Sequence, residues 1–436
     1  MSYGTVKTAA FLMLCCSCPV SLTARDLPLR EITDDSGIRK NLFDEWFVET
    51  PRRVLAKSGR LEALPDGGRI EVRSERLEDE FSIVLARERG GAFPGWAQGS
   101  WVITRSVEDG GLLRIRLFPR SDPYTYIQFL PLDVERSLME VVVYNAYLAQ
   151  SVNTPLSLER LLTAPLEDVL RVEDNKALFR YFEPYTEDYA GVRALISRVR
   201  RLLPGLSFAA DGALDEGGDY VFIKTLLPQT ENPGLNCSGF AKWLVDGLLR
   251  PVSGKRLSIN MLKQAYGQRG SSLTTPFEAL RDPFFGLDWI RNLAAAAYGT
   301  LRSPSFAVLE EIEVSRCPFS RLILRKAGKT REEAYTGFLP DAGFDINGLP
   351  ALLYTLAIDE PGTIYLGAVN NELAPKPRMR QYFHLAAFFP YFDESGVFHV
   401  VLFESAAETS FNRFVARYPG HYINLVRIPA ETSFDP

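Results

Sequence analysis

Few side chains in this sequence are suited to nucleophilic chemistry. Three of its five cysteines, Cys15, Cys16 and Cys18, lie in an apolar N-terminal run, which leaves Cys237 and Cys317, 80 positions apart (317 − 237). Two cysteines can make one disulfide at most and no disulfide framework. Cys237 has the more informative neighbours. Asn236-Cys237-Ser238-Gly239-Phe240-Ala241-Lys242-Trp243 follows the loop Asn232-Pro233-Gly234, and Phe240, Trp243, Leu244, Gly247 and Leu248 recur on one helical face. A thiol at a helix N-terminus meets unpaired N–H groups and the positive end of the dipole, which favour the thiolate. The same N–H groups can serve as an oxyanion hole. A small inert residue that starts a buried helix fits the pattern equally well.

A cysteine nucleophile needs a base, and there are three histidines. His384 opens His-Leu-Ala-Ala-Phe-Phe, His399 opens His-Val-Val-Leu-Phe, and His421 follows Pro419-Gly420. The first two lie 15 apart (399 − 384) across the turn Asp393-Glu394-Ser395-Gly396, a hairpin arrangement. Neighbouring strands can set one imidazole beside the thiol and the second behind it as orienter.

The elements that must position these groups are legible in outline. Residues 60–150 are β-rich: Leu113, Ile115 and Leu117 alternate with Arg114 and Arg116, and Glu108-Asp109-Gly110-Gly111 is a hairpin turn after Trp101–Thr104. Further strands are expected at Arg69–Arg73, Phe81–Ala86, Tyr126–Phe129 and Glu140–Tyr147, giving a small sandwich or barrel. Residues 155–205 switch to helical period, with Leu195, Ile196, Val199, Leu202 and Leu203 on one face and Pro204-Gly205 as the stop, a helical bridge. From 206 to 436, helices at Ser238–Leu249, Asp288–Leu301 and Gly348–Ala357 precede or interleave with strands at Thr363–Gly367, His384–Phe389, Phe398–Phe403 and Tyr422–Ile428, an α+β arrangement.

Asn236-Cys237-Ser238-Gly239-Phe240 resembles the Asp-Cys-Ser-Gly-Phe/Leu nucleophile motif of the NlpC-type cysteine peptidases, papain-like endopeptidases of the bacterial cell wall. Glu360-Pro361-Gly362-Thr363-Ile364-Tyr365-Leu366-Gly367 is similar to the family's Pro-Gly-Asp strand, and His384-Leu385-Ala386-Ala387-Phe388 to its histidine strand. By the same resemblance His399 takes the place of the third polar residue, and Asp219-Tyr220-Val221 that of a segment whose tyrosine helps form the oxyanion environment. The implied site is Cys237, His384 and His399, with Tyr220 and Ser238 at the oxyanion or substrate position. The pattern departs from the family where Asn236 and Thr363 replace aspartates. Cys237 and His384 are also 147 positions apart (384 − 237), which implies an insertion at about 257–348 around the cleft. Its Pro283-Phe284-Phe285-Gly286 and Tyr298 are candidates to shape substrate access or simply to pack a core.

The resemblance implies cleavage of amide bonds in the stem peptides or cross-bridges of peptidoglycan through a thioester, with the β-rich unit as a wall-binding module. An amidase or acyltransferase on the same scaffold, or an inactive exported binding protein, remains open. Lys7 followed by the apolar run and Ser21-Leu22-Thr23-Ala24 has the layout of a secretory signal over residues 1–24, cleaved or lipid-anchored at a cysteine. A periplasmic or extracellular location follows, with membrane attachment by lipidation at most. The net charge of −5 without any long basic run gives no footprint for nucleic acid. Apolar residues at 46% and charged residues at 24% place the chain among globular proteins. No cofactor is expected and no metal, since there is no His-x-x-x-His pair, and neither a phosphate-binding glycine loop nor a Gly-x-Ser-x-Gly elbow occurs.

Overall fold

The computed structural model describes residues 25–171, 176–267, 286–302, 308–326, 329–340, 342–373 and 379–436. The expected leader at 1–24 and Pro283-Phe284-Phe285 lie outside them.

Alternation of apolar and polar residues sets up the first sheet. Strands β1 (Arg60–Ala63), β2 (Arg69–Leu77), β3 (Glu80–Arg87), β4 (Trp101–Ser106), β5 (Leu112–Leu117), β6 (Tyr126–Pro131), β7 (Ser137–Val143) and β8 (Ala146–Thr154) form an antiparallel meander. On one face Ile70, Val72, Phe81, Ile83, Leu85, Ile103, Ile115, Ile127, Phe129 and Val141 are buried with Leu42, Trp46 and Val54 from the N-terminal helical segments and Leu158, Leu161 and Leu166 from the segment after β8. The other face carries polar ladders, such as Arg116 Nε donating to Gln128 (2.7 Å) and Gln128 donating to Glu140 (2.9 Å). The expected sandwich or barrel is therefore replaced by a single open sheet with one apolar face covered by helices.

Its far edge comes from elsewhere in the sequence. After the short hairpin of β9 (Gly212–Leu214) and β10 (Tyr220–Phe222), strands β11 (Arg321–Lys326) and β12 (Lys329–Ala334) extend the meander beyond β8. Part of the segment expected to wrap the cleft thus completes the N-terminal sheet. Local pattern carries no information on such long-range pairing.

The second sheet is antiparallel, in the order β13 (Phe344–Asp345), β18 (Tyr422–Pro429), β14 (Thr363–Leu373), β15 (Met379–Phe392), β16 (Phe398–Glu404), β17 (Ala407–Thr409). Helices cover both faces. Helix α1 (Ala190–Leu202), α2 (Cys237–Ser253) and α3 (Gly286–Leu301) pack on the face bearing Leu366, Leu385, Ala387, Phe389 and Val426. Helix α4 (Leu349–Asp359) and α5 (Phe411–Arg417) pack on the face bearing Tyr365, Ala386, Phe388, Leu402 and Leu425. The chain is therefore a mixed α/β protein with two large antiparallel sheets. Tyr354 of α4 and Phe392 of β15 also belong to the core of the first sheet, so the two parts share apolar contacts. Among the described residues no helix is long and apolar enough to cross a membrane.

One irregularity bears directly on the site. In the β14–β15 ladder Val369 faces His384 and Asn370 faces Tyr382, so Phe383 is an extra residue without a partner. Such a bulge re-aims the side chains on either side of it.

Candidate active site

Helix α2 begins at the cysteine because of Asn236. Its extended backbone and its Oδ1, which accepts from the Gly239 N–H at 2.7 Å, make it the N-cap. Asparagine caps as well as aspartate does, so the substitution in the motif preserves the local structure. Cys237 is the first helical residue, and its N–H and that of Ser238 lie at the open positive end of the helix. The indole of Trp289 in α3 donates to the Ser238 carbonyl at 3.0 Å and fixes this first turn.

Gly239 has its own reason. A Cβ built there would lie 2.0 Å from the Gly212 carbonyl oxygen of β9 and 2.9 Å from the Ala213 Cα. The strand crosses the helix start so closely that no side chain fits between them. Gly239→Ala is expected to cost about 2–3 kcal/mol by overpacking and to shift the Cys237 turn, as measured by urea unfolding.

Facing the thiol, His384 sits on β15 where β16 has already ended, the β15–β16 register stopping at Ala387 opposite Phe403. The His384 side chain lies close enough to the Cys237 sulfur for each group to shift the other's titration. Its Nε2 lies 2.6 Å from Glu404 Oε2 at the end of β16. The other carboxylate oxygen of Glu404 accepts from Thr409 Oγ1 (2.8 Å) and pairs with Arg417 (2.8 Å). Near the imidazole stand the rings of Phe414 and Tyr418, with centroids 6.4 and 5.9 Å away. Sulfur, imidazole and carboxylate stand in one series, with the carboxylate end anchored.

The electrostatics follow from this contact order. Burial alone would push the Cys237 thiol up, but the bond to His384 and its charge, the Leu385 N–H and the Ser238 hydroxyl outweigh it and hold the thiol below its ordinary value. Burial would likewise disfavour a charged imidazole, yet Cys237 and Glu404 together raise His384 to about 9. Glu404, partly desolvated, is pulled down to about 2 by His384, Thr409 and Arg417. A lowered thiol beside a raised imidazole favours a thiolate–imidazolium pair, and a carboxylate backs it. It can attack an electrophilic carbon and deliver a proton to a leaving group.

The remaining expected site residues are distributed unevenly. Ser238 is adjacent to the thiol and donates toward it. Tyr220 sits on β10, paired with Leu214 in the strand that crosses α2, one strand removed from the helix start. His399 does not orient His384. It faces Tyr391, seven residues along β15, or about 23 Å at the strand rise. It stacks on the Tyr391 ring at 5.3 Å and pairs with Asp393 at 2.8 Å. Glu404 takes the orienting role instead. In the sequence it shows only as a lone carboxylate closing the apolar run Val400-Val401-Leu402-Phe403, a charge that wants a partner without naming one. Cys317 is a different kind of cysteine: burial raises its thiol to about 11, and it donates to the Phe319 carbonyl at 3.3 Å. Among the described residues no cluster of three or more His, Cys, Asp or Glu side chains is arranged to hold a metal ion.

Comparison with known proteins bears on the other end of the chain. Residues 28–181 match a family described as Domain of unknown function (DUF8515). That stretch spans the helical segments before β1, the strands β1–β8 and the start of the bridge, and ends 56 positions before Cys237 (237 − 181). No curated protein and no solved structure matches the chain.

Proposed function

We propose that the protein is an exported cysteine hydrolase of papain-like, NlpC type that cleaves amide bonds through a thioester. The carrying observation is the series Cys237–His384–Glu404, an imidazole close to the thiol and 2.6 Å from a carboxylate, with the sulfur at the N-terminus of a buried helix. In the reaction the Cys237 thiolate attacks the amide carbonyl, and the oxyanion is stabilised by the N–H groups at the start of α2. The C–N bond then breaks as the His384 imidazolium gives its proton to the leaving nitrogen. Neutral His384 next takes a proton from water, whose oxygen attacks the thioester. The carboxylic acid leaves and the thiolate–imidazolium pair is restored. Glu404 acts through His384 and is a positioning residue.

Peptidoglycan peptides are the proposed substrate, supported by the nucleophile motif and by the leader-like N-terminus, with the N-terminal sheet as a module that positions the enzyme on the wall. The test has two parts. Iodoacetamide at pH 7 should alkylate Cys237 about 100-fold faster than Cys317, because the raised Cys317 thiol is almost wholly protonated there and this outweighs its greater intrinsic nucleophilicity. Equal sluggish labelling of both would refute the activated thiol. Purified peptidoglycan should release fragments cut within the peptides, identified by mass. An unaltered polymer beside fast labelling would discard that substrate and keep the chemistry.

A further inference from the structure

The bulge at Phe383 gives the proposed site something its hydrogen-bonded core does not need. Phe383 is a large apolar residue left 41% exposed, unlike the buried aromatic residues around it on β15. Its ring meets Tyr418 at 5.9 Å and His421 at 5.8 Å, and Tyr418 meets His421 at 5.6 Å. Tyr418 in turn lies 5.9 Å from the His384 imidazole. Three rings from three different chain positions thus form one surface that runs outward from His384. In a regular ladder, alternation along the strand would send Phe383 to the opposite face from His384.

We infer that Phe383, Tyr418 and His421 form a subsite for an aromatic or bulky apolar side chain on the leaving-amine side of the scissile bond. The inference rests on the proposed acyl-transfer reading. In that chemistry the imidazolium must face the leaving nitrogen, so a surface that continues from the imidazole lies beside the group attached to that nitrogen. Among the described residues the surface offers ring faces and no free charge. The neighbouring guanidinium of Arg417 is already held by Glu404, and His421 Nδ1 lies 3.2 Å from the Pro419 carbonyl. A charged substituent would meet no counter-charge there, whereas a ring or branched aliphatic group would gain contact area and edge-to-face packing.

Acyl-enzyme partitioning reads this subsite directly, because an amine that captures the thioester binds where the leaving amine departs. With N-acetylglycine p-nitrophenyl ester, the thiolate attacks the carbonyl, p-nitrophenolate leaves with the electron pair, and a thioester forms. An added amine then attacks that carbonyl, the C–S bond breaks to regenerate thiolate, and the surplus amine proton passes to His384. Phenylalaninamide is expected to be acylated about 10-fold more efficiently than glycinamide, the scale of discrimination an apolar pocket provides. In Phe383→Ala and in His421→Ala that ratio should fall to within about twofold. A ratio near one in the wild type, or one that survives both substitutions, overturns the subsite. Iodoacetamide labelling of Cys237 in each variant separates a disrupted thiolate from a lost subsite. The absence of any p-nitrophenolate burst from the wild type is a different failure, which overturns the acyl-transfer reading itself.

Discussion

Cys237→Ala is expected to lower kcat/KM for amide or ester cleavage by at least about 10³-fold, because no other described nucleophile lies against His384. Helix α2 is capped by Asn236 and not by the thiol, so the variant should keep its fold. A Cys237→Ala protein that retains activity within tenfold of the wild type would remove the thiol from the mechanism. The pH profile supplies an independent check. The Cys237 thiol is lowered, so a larger share of it is thiolate at a given pH than in an ordinary cysteine. His384 is raised to about 9, so the proton needed by the leaving group is retained up to that pH and lost as pH rises through it. The expected kcat/KM profile has an alkaline limb near 9. A limb near the ordinary imidazole value of about 6.5 would mean the two groups do not support each other as the contacts indicate.

The site was legible from sequence to an uneven degree, and the division is physical. Cys237 could be found because helix starts are written locally: a loop, a capping residue and an apolar period follow one another without a gap. His384 could be found because the strand that carries it is a continuous apolar run and histidines are scarce. Glu404 could not be identified from that logic, since its contact with His384 depends on the register between β15 and β16, which pairs Ala387 with Phe403. A slip of one residue would turn the carboxylate to the other face. The same register excludes His399, which it sets opposite Tyr391, seven residues along β15 from His384. Phe383 was invisible for a related reason. A bulge is a one-residue mismatch between two strands, and no period in either strand alone reveals it. The N-terminal sheet shows the limit at a larger scale: β1–β8 follow alternation, but β11 and β12 join them from more than 160 positions further on.

Glu404→Gln is the second substitution with a large expected effect, a loss of about 10²–10⁴ in kcat with the thiol still present. Glutamine keeps the shape and can still bond to the imidazole. It removes the negative charge of the residue that, with Cys237, holds His384 at about 9, and replaces a charge-assisted bond by a neutral one. The imidazolium is then less stable, the thiolate loses part of its partner, and the alkaline limb of the profile should move down from about 9 toward the ordinary range. A residue that merely held the sheet together would lower the folded fraction without moving that limb, so the pH profile separates the two roles. His399→Ala is the matched control: it breaks an exposed pair with Asp393 about 23 Å along the strand from the dyad and should leave both rate and limb in place. If the limb stays near 9 in Glu404→Gln while it shifts in His399→Ala, the carboxylate assignment is wrong and the orienting group is the second histidine after all.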